Sequence, residues 1–250
     1  MNHPKPTFRS AQSDDWGIAV SLVRATQFDE GSRWRATLVP SAGEMSASFG
    51  RQTRMSRGHR ASEPNAEKNF LDCVRRAKKR IRLYVVSNKL NCFLTLTFAE
   101  ELADVSAVVH LTKNAFRRAL YRLPPCPYIW VREAGSKEGR LHVHALVNST
   151  VADRVVSSWE FGIAHVEPYP LDAESLRTAS SYLSKDLDSS LINHGQSYYR
   201  GKGFTPEFQR LTACLDQAAL IRHASEAMGS PPMTIQESSR YPAITALWDV

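Results

Sequence analysis

"YIWVREAGSKEGRLHVHALV", residues 128–147, decides how this chain folds. Two runs rich in aromatic and β-branched residues flank "AGSKEG", which carries two glycines, so the stretch reads as a β-hairpin. In the second strand Leu141, Val143, Ala145 and Val147 share one face, and His142 and His144 share the other. The apolar set can bury against a helix. The histidines then interrupt one face only, with Cβ atoms about 7 Å apart along the strand. If residues 134–139 close the hairpin, Glu133 opposes Arg140 and Val131 opposes His142. Glu133 then lies on the histidine face, diagonal to His142 and within side-chain reach. Glu138 competes from the loop, and a plainer reading pairs Glu133 with Arg132 or Arg140.

Working outward, residues 65 to 88 show Phe70, Val74, Ala77, Ile81 and Tyr84 at helical spacing. "CFLTLTF" (92–98) is a strand. Residues 106 to 123 form a second helix, stopped by "LPPCP". Past the hairpin, Thr150 and Asp153 have capping-box spacing before a short helix that Gly162 ends. "IAHVEP" (163–168) is a strand candidate, and Asp172 caps a helix reaching about Leu187. The order predicts an α+β fold, an antiparallel sheet with helices packed against it. Residues 1–62 read as a poorly ordered, basic and Ser-rich extension in which "RWRATLV" is a possible short strand. Residues 63–190 form the main domain. Residues 191–250 begin with a loop, then carry a helix near 211–227 and a tail.

Of the 250 residues 42% are hydrophobic, which suits a sizeable core. No apolar run approaches the roughly 20 residues of a membrane span. "MNHPKPTFRSAQSDDWG" lacks a signal peptide's apolar stretch, so a cytoplasmic protein without a membrane partner is expected. The four cysteines form no CxxC pair, which argues against a zinc knuckle or a disulfide framework. Charge is uneven. Residues 51–89 hold twelve Lys or Arg against three acids, a net +9, whereas the whole chain is +7. Such a block suits a polyanion, most often nucleic acid; a solvated helix face is the plainer alternative. Arg75, Arg76, Lys78, Lys79, Arg80 and Arg82 are the candidate phosphate contacts. Thr95 and Thr97 of "CFLTLTF", and Tyr199 and Lys202 of "SYYRGKGF", join them.

Glu133, His142 and His144 suit Mg²⁺, Mn²⁺ or Zn²⁺, and an oxygen ligand with open positions fits a catalytic centre. Such an ion facing a basic surface suggests phosphoester chemistry. In "LRTASSYLSKDL", Leu176, Ala179, Leu183 and Leu187 make the apolar stripe. Tyr182 and Lys185 point off it together at i, i+3.

These pieces, in this order, resemble the HUH endonuclease superfamily, and most of all the rolling-circle replication initiators (Rep proteins) of plasmids and single-stranded DNA phages. "FLTLTF" (93–98) resembles their first motif. "HVH" fits the HUH pattern with Val143 as the hydrophobic residue, and "YLSK", Tyr182 to Lys185, fits YxxK. The nine-residue step from Glu133 to His142 is similar to the viral relatives. The likeness covers about residues 65–187. It implies a five-stranded antiparallel sheet with flanking helices, and a nicking and joining reaction on single-stranded DNA at a replication origin. Tyr182 would attack the scissile phosphate to leave a 5′-phosphotyrosine and a free 3′-hydroxyl. Mg²⁺ or Mn²⁺ at Glu133, His142 and His144 would orient the phosphate, and Lys185 would assist. Conjugative relaxases place their tyrosine before the histidines, unlike this chain; single-tyrosine transposases share its order. A regulator with an inactive site and a water-using metal hydrolase are the other readings. "GQSYYRGKG" lacks the Ser or Thr that follows the lysine of a Walker A loop. A host helicase and polymerase are therefore the implied partners.

Overall fold

The computed structural model describes residues 9–10, 33–50, 66–99, 105–134, 141–185, 187, 198–214, 216–239 and 242–250. The hairpin loop with Glu138 and Arg140, and segments 1–8, 11–32 and 51–65 of the expected extension and domain start, lie outside them. In chain order the strands and helices are β1 Arg9–Ser10, β2 Arg33–Val39, β3 Glu44–Gly50, α1 Ala66–Ser87, β4 Cys92–Thr97 and α2 Val105–Ala119. Next come β5 Ile129–Ala134, β6 Leu141–Val147, α3 Ser149–Ser158, β7 Ala164–Pro168 and α4 Ala173–Leu183. The last are β8 Tyr198–Arg200, β9 Gln209–Cys214, α5 Gln217–Met228, β10 Thr234–Glu237 and β11 Ala243–Leu247. No helix among the described residues is long and apolar enough to cross a membrane.

The chain divides into two compact units, residues 63–205 and residues 1–62 with 206–250. The first is an α+β fold on a five-stranded antiparallel sheet, ordered β7-β4-β6-β5-β8. Parity along β4 and β6 gives the sheet two different faces. Leu94, Leu96, Val143, Ala145 and Trp130 bury on the back against Val108, Ala115 and Phe116 of α2 and Val151 and Val155 of α3. Burying each such Leu or Val stabilises the fold by about 1.5–3 kcal/mol. On the front Phe93, Ile129 and Leu146 are also buried, and α4 packs there with α1 beside it. Tyr84 of α1 is buried with its hydroxyl 3.4 Å from the Gly201 carbonyl, and burial pushes its pKa up to about 12.

Helix ends follow their caps. Asp172 accepts from the Ser175 N–H, as the sequence indicated, and that bond holds its carboxyl below the usual range. For α3 the cap is Asn148, which accepts from Val151 N–H at 2.9 Å, and not Thr150. Gly162 passes so close to β4 that a Cβ there would collide with the Thr97 carbonyl and lie 2.7 Å from Ala99 N. Gly162→Ala should therefore lower stability by about 1–3 kcal/mol through overpacking. Thermal denaturation checks this; an unchanged melting temperature would show that the turn relaxes freely.

The second unit is built where the sequence suggested lead-in and tail. Its antiparallel sheet runs β1-β10-β11-β3-β2-β9. Trp34, Leu38, Met45, Ile244 and Trp248 pack against Leu220, Ile221 and Ala224 of α5. Residues 33–50 thus form a paired hairpin instead of part of a poorly ordered extension. The helix expected from 211 begins only at Gln217, because Asp216 caps it by accepting from Ala218 N–H, and residues 209–214 are strand. The tail contributes β10 and β11. Likewise Tyr198–Arg200, read as loop, is the edge strand of the other sheet.

Candidate active site

The hairpin extends one pair further than the sequence suggested. Ala134 pairs with Leu141 and Glu133 pairs directly with His142, so the loop is 135–140. Glu133 is therefore opposite His142 and not diagonal to it, on the same face as before. Arg132 pairs with Val143 and belongs to the back face. Across β6, His144 aligns with Thr95 and His142 with Thr97 of β4.

These side chains converge. Glu133 Oε2 lies 3.0 Å from His144 Nε2, and its Oε1 lies 3.8 Å from His142 Nε2. One ligand atom from each of the three residues falls within 4.8 Å of the others. Their imidazoles meet edge to face, with centroids 4.8 Å apart. Two ring nitrogens and a carboxylate, all largely shielded from water, are the donor set of a divalent ion, and the spacing fits one. His144 is held on its far side as well: Nδ1 is 3.2 Å from Thr95 Oγ1, and Phe93 lies 5.2 Å away, centroid to centroid. When Nδ1–H donates to Thr95 Oγ1, Nε2 is left with a lone pair for a metal. Thr95→Val should then weaken Mn²⁺ binding by about 10- to 100-fold, as loss of such outer partners does. A calorimetric Mn²⁺ titration reads this directly, and unaltered affinity would mean that the ring is oriented by Phe93 alone.

The nucleophile candidate stands beside this set. Helix α4 ends at Leu183, short of the expected Leu187, and Lys185 sits in the turn that follows, its N–H bonded to the Tyr182 carbonyl at 3.2 Å. The turn folds the lysine back. Lys185 Nζ is 4.5 Å from the centre of the Tyr182 ring and 3.4 Å from Glu133 Oε1. Tyr182 is 47% exposed, and its ring rests edge-on against Phe93 at 5.2 Å and against His144 at 6.2 Å. Phe93 is thus the shared support of ligand and tyrosine. The sequence placed it on this face without giving it a role.

Residues 91–188 match the ORF2-type family of replication-associated proteins.

The matched segment spans β4 through α4 and contains Glu133, His142, His144, Tyr182 and Lys185, but neither α1 nor β8. No curated protein and no solved structure matches the chain.

The expected DNA contacts scatter. Thr95 is engaged with His144, and the Thr97 hydroxyl donates to the Ile163 carbonyl at 3.1 Å, so neither is brought to the surface as a free hydroxyl. Arg75 pairs with Asp72 at 3.1 Å, and Lys78 Nζ donates to the Lys185 carbonyl at 3.2 Å. Lys79 and Arg82 are half-buried, while Arg76 and Arg80 are exposed. Tyr199 stacks on Trp130 at 4.1 Å on the back face, and Lys202 is exposed just past β8. Lys113, Arg117 and Arg200 were missed. The two on α2 are single charges flanking an apolar stripe, and only the tertiary fold sets them against Tyr199 and α1.

Proposed function

We propose that this chain initiates rolling-circle replication by nicking single-stranded origin DNA through a 5′-phosphotyrosine on Tyr182, and later rejoins the strand. The observation that carries this reading is Lys185, whose ammonium group touches both the Tyr182 ring and Glu133. Nucleophile and ligand set therefore act on one phosphate.

Tyr182 Oη forms a bond to the scissile phosphorus as the P–O3′ bond breaks. The phenolic proton leaves to solvent, and the departing 3′-oxygen takes one up. One phosphodiester is exchanged for another, so the bond is kept for rejoining by the reverse step. Exposure of Tyr182 lets a strand reach it, and Phe93 limits the ring's motion. Lys185 offers positive charge to the phosphate oxygens as negative charge grows on them. Glu133, His142 and His144 would hold Mg²⁺ or Mn²⁺, which when bound polarises a phosphoryl oxygen. Glu133 also keeps two imidazoles and an ammonium group together, since without its charge they would repel. DNA held against a basic surface needs opening and extension, so a host helicase and polymerase are the partners in this reading.

The test is covalent capture. The full chain is incubated with Mn²⁺ and a labelled, randomised single-strand library, and molecules that stay attached in denaturant are recovered and sequenced. One recurrent sequence joined through its 5′-phosphate is the expected result. Cleavage with no attachment would replace the tyrosine mechanism with water attack, and DNA binding with neither would leave a regulator.

A further inference from the structure

At the β8 edge of the five-stranded sheet lies a cleft of about 1090 Å³. Helix α1 forms one wall with Arg76 and Arg80, α2 forms the other with Lys113 and Arg117, and Arg200 of β8 lies between them. No carboxylate is among the described residues that line it. Among the described residues, no acid pairs with Arg76, Arg80 or Arg117 either. The floor is aromatic, made of Phe116, Tyr128, Trp130 and Tyr199. Tyr199 stacks on Trp130 within 18° of parallel, and Lys113 Nζ lies 4.7 Å from the centre of the Tyr199 ring.

Strand parity separates this floor from the triad. Tyr199 pairs with Trp130 and Trp130 with Ala145, which is buried on the back face; Glu133, His142 and His144 point to the front. The cleft and the ligand set are thus on opposite faces of the sheet. The physics of the cleft also points to a particular ligand. Five cations on facing walls with no anion between them repel one another, and a polyanion relieves this while releasing its own counterions. The volume is at the top of the range for small-molecule sites, about 300–1,000 Å³, but those are mainly apolar with few charges. Cations around an aromatic floor instead suit an unstacked nucleic-acid strand, whose phosphates take the rim and whose bases meet the rings.

We propose that this cleft is a second nucleic-acid site. It grips single-stranded DNA on the back of the sheet while another part of the same strand lies at Tyr182. The choice of single-stranded DNA rests on the proposed function; the existence of an anionic-strand site does not.

The test uses the full chain and oligo-dT of about 40 nucleotides, long enough to reach beyond one strand-binding site, with fluorescence anisotropy over a salt series. The variant is Arg80→Glu with Arg117→Glu, both exposed residues, and melting curves confirm that it folds; Lys113→Gln is a milder second variant. Affinity should fall at least tenfold in the double variant. The log–log salt slope should become shallower by about 1.4, since two phosphate contacts at about 0.7 each are lost. Adduct formation on a saturating short substrate from the covalent capture should stay within twofold. Unchanged affinity and slope would overturn the proposal. Loss of the adduct at saturation would also overturn it, because the charges would then serve the front face. Displacement of the labelled strand by poly-glutamate as readily as by unlabelled oligo-dT would make the occupant an acidic protein and overturn it too. If wild-type protein forms no adduct with any strand, the nicking mechanism fails, while the affinity measurements still decide the cleft.

Discussion

Tyr182→Phe is expected to remove the denaturant-resistant protein–DNA adduct, lowering its yield by roughly 10³-fold or more, because only the attacking oxygen is lost. The ring stays. Its edge contact with Phe93 at 5.2 Å and its position under Lys185 Nζ at 4.5 Å need no hydroxyl. Tyr182 is 47% exposed, so folding stability should change by no more than about 0.5 kcal/mol. DNA affinity should move less than twofold, since no phosphate contact is removed. The measurement is a gel shift of labelled substrate in denaturant, beside anisotropy on the same protein. An adduct that survives the substitution would assign the nucleophile elsewhere, with Tyr198 and Tyr199 the next residues to change.

The second large effect concerns the ligand set. Glu133→Gln keeps volume and shape but removes the charge that lies 3.0 Å from His144 and 3.4 Å from Lys185. We expect nicking to fall by about 10²- to 10³-fold, the scale seen when one electrostatic partner of a developing charge is lost. A readout independent of activity goes with it. Mn²⁺ at about 100 times its dissociation constant should stabilise the wild-type chain by about 2.7 kcal/mol, because binding favours the folded state. That stabilisation should vanish in Glu133→Gln and in His144→Ala. His144→Ala should also lower stability without metal, since the ring is buried between Phe93 and Thr95 and its loss leaves a cavity. Chelation of wild-type protein should reproduce the loss of nicking while leaving oligo-dT binding in place. If Mn²⁺ stabilises Glu133→Gln as it does the wild type, the carboxylate is not a ligand, and its role is confined to holding Lys185.

Much of the first unit was legible because its signals are local. Alternation in "RLHVHALV" fixes which face the histidines take, and helical spacing in residues 70–84 and 176–183 fixes the apolar stripes. Turn length was less legible. A six-residue loop can be set at 134–139 or 135–140, and sequence alone offers no reason to prefer the second. Parity survives this two-position change in pairing, so Glu133 kept its face while its partner changed from Arg140 to His142. Lys185 shows the opposite case. Its i, i+3 relation to Tyr182 held, but through a turn beyond the helix end, and its contact with Glu133 appears only when α4 lies on the sheet.

The second unit was hidden for a different reason. "EMSASFG" alternates between weakly apolar Ala, Met and Phe and small polar residues, so its period-two signal is faint. The strand's partner β11 lies some 200 positions further along the chain, and no local pattern announces such a pairing. The sequence by itself determined the secondary structure around the site, the shared face of Glu133, His142 and His144, and the pairing of Tyr182 with Lys185 along the chain. Tertiary structure alone decided that β2 and β3 are buried strands and that Phe93 supports both His144 and Tyr182. It also divided the basic block, leaving Arg76 and Arg80 to face Lys113 and Arg117 across an aromatic floor. Periodicity is written residue by residue, whereas convergence of distant side chains exists only once the chain has closed on itself.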